Sequence, residues 1–160
     1  MTTRTTTDSA ANTRLTRSRV VITNTTQGTV LADHAEVACG FLKRMVGLLT
    51  RQALPEGAAL VIPNCRSIHT YFMRFPIDVL FLRTIDTASR GPRHTAGLRH
   101  STLVVEVVEH LRPFRFAWAS KADTVIELPD QTIARTSTCI GELMTITGPR
   151  SSLGMGADGQ

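Results

Sequence analysis

The sequence predicts an α+β fold that is mostly β: a small curved sheet or barrel of about six to eight short strands, with one main helix near residues 40–50 packed on it. Three observations predict this. The apolar residues fall mainly into short, β-branched runs bounded by turn formers. Only one stretch, FLKRMVGLL, places its apolar residues at helical spacing. A chain of 160 residues suits one domain with a real core and is short for two.

Each element follows in chain order. Residues 1–18 are rich in Thr and Ser with a single leucine, Leu15, and bury too little apolar area to offset their ordering entropy, so they read as a flexible tail. RVVIT (19–23) and TVLAD (29–33) flank NTTQG and predict a hairpin. Phe41, Leu42, Met45, Leu48 and Leu49 form the apolar stripe of the helix, with Lys43, Arg44 and Arg51 on another face, and Pro55 and Gly57 close it off. The remaining strands are AALVI (58–62), SIHTYFM (67–73), DVLFL (78–82), TLVVEVVE (102–109), TVIEL (124–128) and ELMTIT (142–147). Segment 83–101 lacks sustained periodicity and reads as a long basic loop between two strands. Residues 149–160 form a second tail, which leaves 19–148 as the single globular domain.

Composition narrows the function. Apolar residues make up 42% and charged residues 19%, which favours an ordinary globular chain over disorder or a membrane class. No window approaches the run of apolar residues that a membrane helix needs, and the amino terminus lacks the apolar core of a secretory signal. A cytoplasmic location without a membrane span is the expectation. The three cysteines, Cys39, Cys65 and Cys139, form no CxxC or zinc-finger spacing and read as reduced thiols. The net charge of +5 comes from residues 1–19 and 83–100, each +3, so the rest of the chain is close to neutral at −1. With eight aromatic residues and no basic helix, nucleic acid is not the expected partner. Trp118, in PFRFAWASKAD, reads as part of a loop covering the core and not as a stacking platform.

Chemistry concentrates in CRSIHTYFMRFPIDVLFL, residues 65–82. Asp78 follows Pro76 and precedes four apolar residues, so its carboxylate sits half-buried at a strand entrance and needs donors, from the backbone or from Arg74 or Arg44. Two roles are open to it: pinning a turn through backbone N–H groups, or facing a ligand together with His69 and Arg44. Cys65, His69 and Met73 recur every four residues. On a straight strand Cys65 and Met73 would stand about 26 Å apart, so a soft-metal site requires a bend.

The order GLLTR, LPEGAALVI, HTYFMRFPIDVLFL, VVEVVEHLRPFR, TVIELP, IGEL resembles the bacterial and archaeal family called domain of unknown function 192, over roughly residues 29–147. Its most specific element is Met73 with Pro76-Ile77-Asp78 running into a hydrophobic strand. The resemblance implies one compact, mostly β, barrel-like domain with one or two helices, and no established activity. Gly47-Leu48-Leu49 replaces Gly-Leu-Met, Asp130-Gln131 replaces a glycine turn, and Gly141-Glu142 replaces Gly-Asp. The last change puts any role inherited at position 142 in doubt.

The resulting expectation is a small non-catalytic binding or accessory module, with a groove lined by Arg44, His69, Met73 and Asp78 and the 83–101 loop as a flap. The expected partner is a small ligand or a protein, without a cofactor. Two alternatives stand beside it. One is an enzyme or copper-like metal protein using Cys65, His69 and Met73. The other is a weak, non-specific binder of nucleic acid or anionic surfaces through its basic tail and loop.

Overall fold

A computed structural model describes residues 20–38, 48, 52–85 and 98–148. The expected helix over 41–49, with Arg44, lies outside the described residues apart from Leu48, as do both tails and residues 86–97 of the basic segment.

The strands are β1 (Val20–Asn24), β2 (Thr29–Val37), β3 (Ala58–Pro63), β4 (Ser67–His69), β5 (Ile77–Thr84), β6 (Leu98–Leu111), β7 (Phe116–Trp118), β8 (Thr124–Pro129) and β9 (Leu143–Gly148), with a short helix α1 (Thr132–Thr136) between β8 and β9. Seven of them close into a barrel in the order β1-β2-β3-β8-β5-β6-β9, β9 pairing back onto β1. β4 and β7 form a separate two-stranded sheet. The fold is therefore α+β and mostly β, as the pattern of short runs predicts. No helix among the described residues is long and apolar enough to cross a membrane.

The first hairpin forms as expected, β1 against β2, with Gly28 at φ 74° supplying the left-handed residue that ends its turn. Asn24 is fully buried, and its side-chain oxygen accepts the N–H groups of Thr26 and Gln27. β2 then runs parallel to β3, in the one parallel pairing of the barrel. Parallel neighbours need a crossover of a dozen or more residues, and the intervening segment is long enough to provide it.

β5 explains the core. Residues 77–82 are all buried because the strand has apolar surroundings on both sides, which is why IDVLFL reads as a continuous run and not as an alternation. Leu80 and Leu82 point into the barrel with Ile22, Val61, Val104, Ile126, Leu128 and Met144. Ile77, Val79 and Phe81 point outward into a second cluster with Leu48, Leu60, Ile62, Ile68, Met73 and Val125. Each fully buried side chain of this size contributes on the order of 1.5–3 kcal/mol through removal from water.

Three differences from the sequence reading have physical causes. The run 67–73 is a strand only over Ser67–His69, because the backbone turns through a left-handed residue at Phe72, φ 66°. The basic segment is ordered at both ends: Arg83 and Thr84 continue β5, and Leu98–Ser101 open β6 by pairing with β9. Ladder hydrogen bonds at the barrel rim order these polar residues without any apolar alternation. β7 and α1 were absent from the sequence reading: five residues are too few for α1 to show a helical period, and β7 showed only the spacing of its aromatics.

Candidate functional site

Two polar or aromatic constellations stand out, and they lie on opposite sides of β5. The first is built on Asp78. It is 0% exposed, and its neighbours Leu80 and Leu82 on the same face of β5 point into the barrel. Its Oδ1 accepts the N–H of His110 at 2.9 Å and its Oδ2 accepts the N–H of Ile133 at 2.8 Å. Both donors need it. The β5–β6 register slips between Ile77 and Val79, and His110 sits in that irregularity at φ 51°, so its N–H is taken out of the ladder. Ile133 is in the first turn of α1, where N–H groups lack helical partners, and the cap residue Gln131 makes no side-chain capping bond. The carboxylate thus caps a helix 55 residues away and ties it to the barrel. Around it, the ring of His110 meets Asp130 at 2.9 Å. Of the two roles open to Asp78, pinning the chain through backbone donors accounts for both of its oxygens.

The second constellation is the sheet of β4 and β7. Its strands belong to two connections, β3 to β5 and β6 to β8, that meet on the outer face of the barrel. Ser67 pairs with Trp118, Ile68 with Ala117 and His69 with Phe116. Ile68 and Ala117 face inward onto the cluster of Val79 and Phe81. Two short strands alone are marginal, and this packing holds them. The alternate residues therefore point to solvent: Ser67, His69, Phe116 and Trp118.

Two turns extend the same surface. Thr70, fully buried, ties them together. Its hydroxyl donates to the carbonyl of Arg112 at 2.6 Å and accepts the N–H of Arg115 at 2.9 Å, while its own carbonyl accepts the N–H groups of Met73 and Phe114. This holds Phe72 and Phe114 in left-handed backbone, φ 66° and 59°, which bulky residues rarely adopt. The result is an exposed aromatic row. Tyr71, Phe72, Phe114, Phe116 and Trp118 are 46%, 74%, 55%, 58% and 61% exposed. His69 lies against Tyr71 with ring centroids 5.4 Å apart and planes tilted by 37°, and Phe114 meets Tyr71 and Phe72 edge-on at 6.3 and 5.9 Å. Five of the chain's eight aromatics stand in water on one face. Monomers seldom expose such a contiguous patch without a use for it.

The expected groove residues separate accordingly. His69 lies on the aromatic face. Met73 is 5% exposed and packs in the cluster beneath it. Asp78 belongs to the barrel interior, on the other face of β5, and Arg44 lies outside the described residues. Cys65, His69 and Met73 are not gathered either. Both sulfur-bearing residues pack toward the second cluster, between the barrel and the β4–β7 sheet, Cys65 donating to the carbonyl of Ser67 at 3.0 Å, whereas the imidazole points to solvent. The segment PFRFAWASKAD does cover the core, through Ala117, Ala119 and Ala122, but Trp118 itself does not, which corrects its reading: alternation on β7 turns it to solvent. The signal was present as Phe114, Phe116 and Trp118 at intervals of two.

Fold and surface together define a small closed barrel that carries an accessory two-stranded sheet with an aromatic outer face. The chain belongs to the DUF192 family, described as an uncharacterized ACR, whose model matches residues 21–146. Among solved structures it is similar to a protein of unknown function from Novosphingobium aromaticivorans DSM 12444, at 17% identity and TM-score 0.58, covering 78% of this chain and 81% of that one. It is equally similar to a candidate transcription regulator from Sinorhizobium meliloti 1021, at 17% identity and TM-score 0.58, covering 79% and 91%. At that identity the likeness speaks to the fold alone. No curated protein matches the sequence.

Proposed function

We propose that this protein is a non-catalytic binding module whose contact surface is the outer face of the β4–β7 sheet with its two turns. The observation that carries the reading is the solvent-facing row Tyr71, Phe72, Phe114, Phe116 and Trp118, held in place by the buried Thr70. Aromatic side chains bring a large contact area with few rotatable bonds, so little entropy is lost when a partner covers them. His69 takes part directly. Met73 supports the turn that carries Tyr71 and Phe72, whereas Asp78 clasps α1 to the barrel and stands apart from the contact surface.

The test is a comparison of elution positions. Fluorescently tagged protein is run by size exclusion in clarified cell extract and in buffer. The parent chain elutes earlier in extract than in buffer. The double variant Phe116→Ser/Trp118→Ser, with unchanged circular dichroism, elutes at the buffer position. An early-eluting double variant contradicts the assignment of this face.

A further inference from the structure

We infer that the partner of the β4–β7 face is single-stranded nucleic acid, held by base stacking on its aromatic row and by phosphate contacts to the arginines and lysine around it. The inference rests on the reading of this face as the contact surface and names its partner class.

The first observation is charge. Residues 64–77 and 111–122, the two segments that build the face, contain Arg66, Arg74, Arg112, Arg115 and Lys121, and none of the chain's 13 acidic residues falls in either. All five basic side chains are exposed, and none of them pairs with a carboxylate among the described residues. A polyanion meets five exposed cations along these two segments.

The second is the kind of apolar group exposed. Every large hydrophobic side chain that these segments turn to solvent is aromatic, while Ile68, Met73, Ile77 and Leu111 are buried. A bilayer rewards aliphatic and aromatic surface alike, whereas a nucleobase rewards a flat π face. Phe116 and Trp118 stand two residues apart on one side of β7, about 6.6 Å along the strand, and the edge-on contacts of Phe114 with Tyr71 and Phe72 continue the row. Such a row can take successive unstacked bases. A duplex hides its base faces, and this short sheet offers neither a helix nor a long ribbon for a groove. The hydrogen-bonding side chains on the two strands are Ser67, His69 and the indole N–H of Trp118, too few for base-by-base readout, so the binding tolerates many sequences.

The experiment is a fluorescence anisotropy titration of the full chain with a labelled oligothymidylate of roughly 16 nucleotides across a range of NaCl. The expected plot of log K against log salt is linear, with a slope of about −2 to −3.5 for three to five phosphates. Trp118→Ala weakens binding roughly 5- to 150-fold with the slope unchanged. Arg115→Gln makes the slope shallower by about 0.7. Because Trp118 is the single tryptophan, its emission reports directly on the face: a stacked base quenches it. Absence of binding at low salt overturns the inference. So does full affinity in Trp118→Ala, which would assign the contact to the arginines of the tail. A blue shift with phosphatidylglycerol vesicles and no quenching by the oligonucleotide also overturns it, in favour of an anionic membrane. If the parent still elutes early in nuclease-treated extract while the Phe116→Ser/Trp118→Ser variant does not, the partner class is wrong and the surface is right. If both elute early, the surface assignment itself has failed.

Discussion

Replacing Asp78 with asparagine separates a structural clasp from a ligand contact. The carboxylate accepts two backbone N–H groups, from His110 and Ile133, at a site with no solvent exposure. Hydrogen bonds to a charged group contribute about 1.5–3 kcal/mol each, and a buried donor left without an acceptor costs about 1–3 kcal/mol. Asparagine keeps one acceptor oxygen and turns an NH2 group toward the other donor. One bond is lost and one donor stranded, partly offset because a neutral side chain is cheaper to bury than a carboxylate. The net loss should be about 2–4 kcal/mol, a large share of the marginal stability of a domain this size. With a urea m-value of about 2 kcal/mol/M, the unfolding midpoint falls by about 1–2 M. Affinity at the aromatic face should be unchanged, measured in urea-free buffer on the folded fraction. A variant within about 0.5 kcal/mol of the parent refutes the clasp. A variant with normal stability and lost binding would restore Asp78 as a ligand residue.

Three further outcomes are expected. Thr70→Val removes the hydroxyl that joins the two turns, costing about 1–3 kcal/mol, and hydrogen exchange at the Arg115 amide accelerates while the amides of β8 stay protected; an unchanged Arg115 amide rules out the role. Gly57→Ala destabilises by at least about 1 kcal/mol in thermal unfolding, because Gly57 has φ 75° and a Cβ there would lie 2.7 Å from Oδ1 of Asp33. At Glu142, burial raises the carboxyl pKa, but hydrogen bonds from Gln27, the Cys139 N–H and Asn24 outweigh it and leave the pKa below the ordinary carboxylate value. Its stabilising contribution is therefore present above the ordinary carboxylate range and lost as pH falls through the lowered value. Glu142→Gln should flatten that acid limb of the stability profile, and an unaltered limb contradicts the assignment.

Much of the barrel was legible because its strands repeat one physical pattern. AALVI, DVLFL and TVIEL are mostly apolar and nearly all buried since each is covered on both faces, and turn formers delimit them. The cap on α1 was not legible, because it comes from Asp78, 55 residues earlier, while the local candidate Asp130 is engaged by the ring of His110 and Gln131 makes no side-chain capping bond. Asp78 itself was visible as a carboxylate in need of donors; which donors depended on a register slip in β6 that no spacing reveals. The aromatic face was hidden for a different reason. Its halves lie some 40 residues apart, each with few aromatics and a modest charge, and only the pairing of Ser67 with Trp118 and His69 with Phe116 adds them together. Counting charge along the chain located the excess in the tail and the basic segment, whereas residues 64–77 and 111–122, brought together by the β4–β7 pairing, carry a further five exposed cations and no acid.

The most direct test of the central claim is hydroxyl-radical labelling of the protein in clarified extract and in buffer, read by mass spectrometry as the labelling of Trp118 and Tyr71 relative to Val30 and Leu143. All four are exposed, and only the first two lie on the β4–β7 surface. The account predicts that extract lowers labelling at Trp118 and Tyr71 and leaves Val30 and Leu143 unaffected. Equal labelling of Trp118 and Tyr71 in both conditions, or protection confined to Val30 and Leu143, would contradict it.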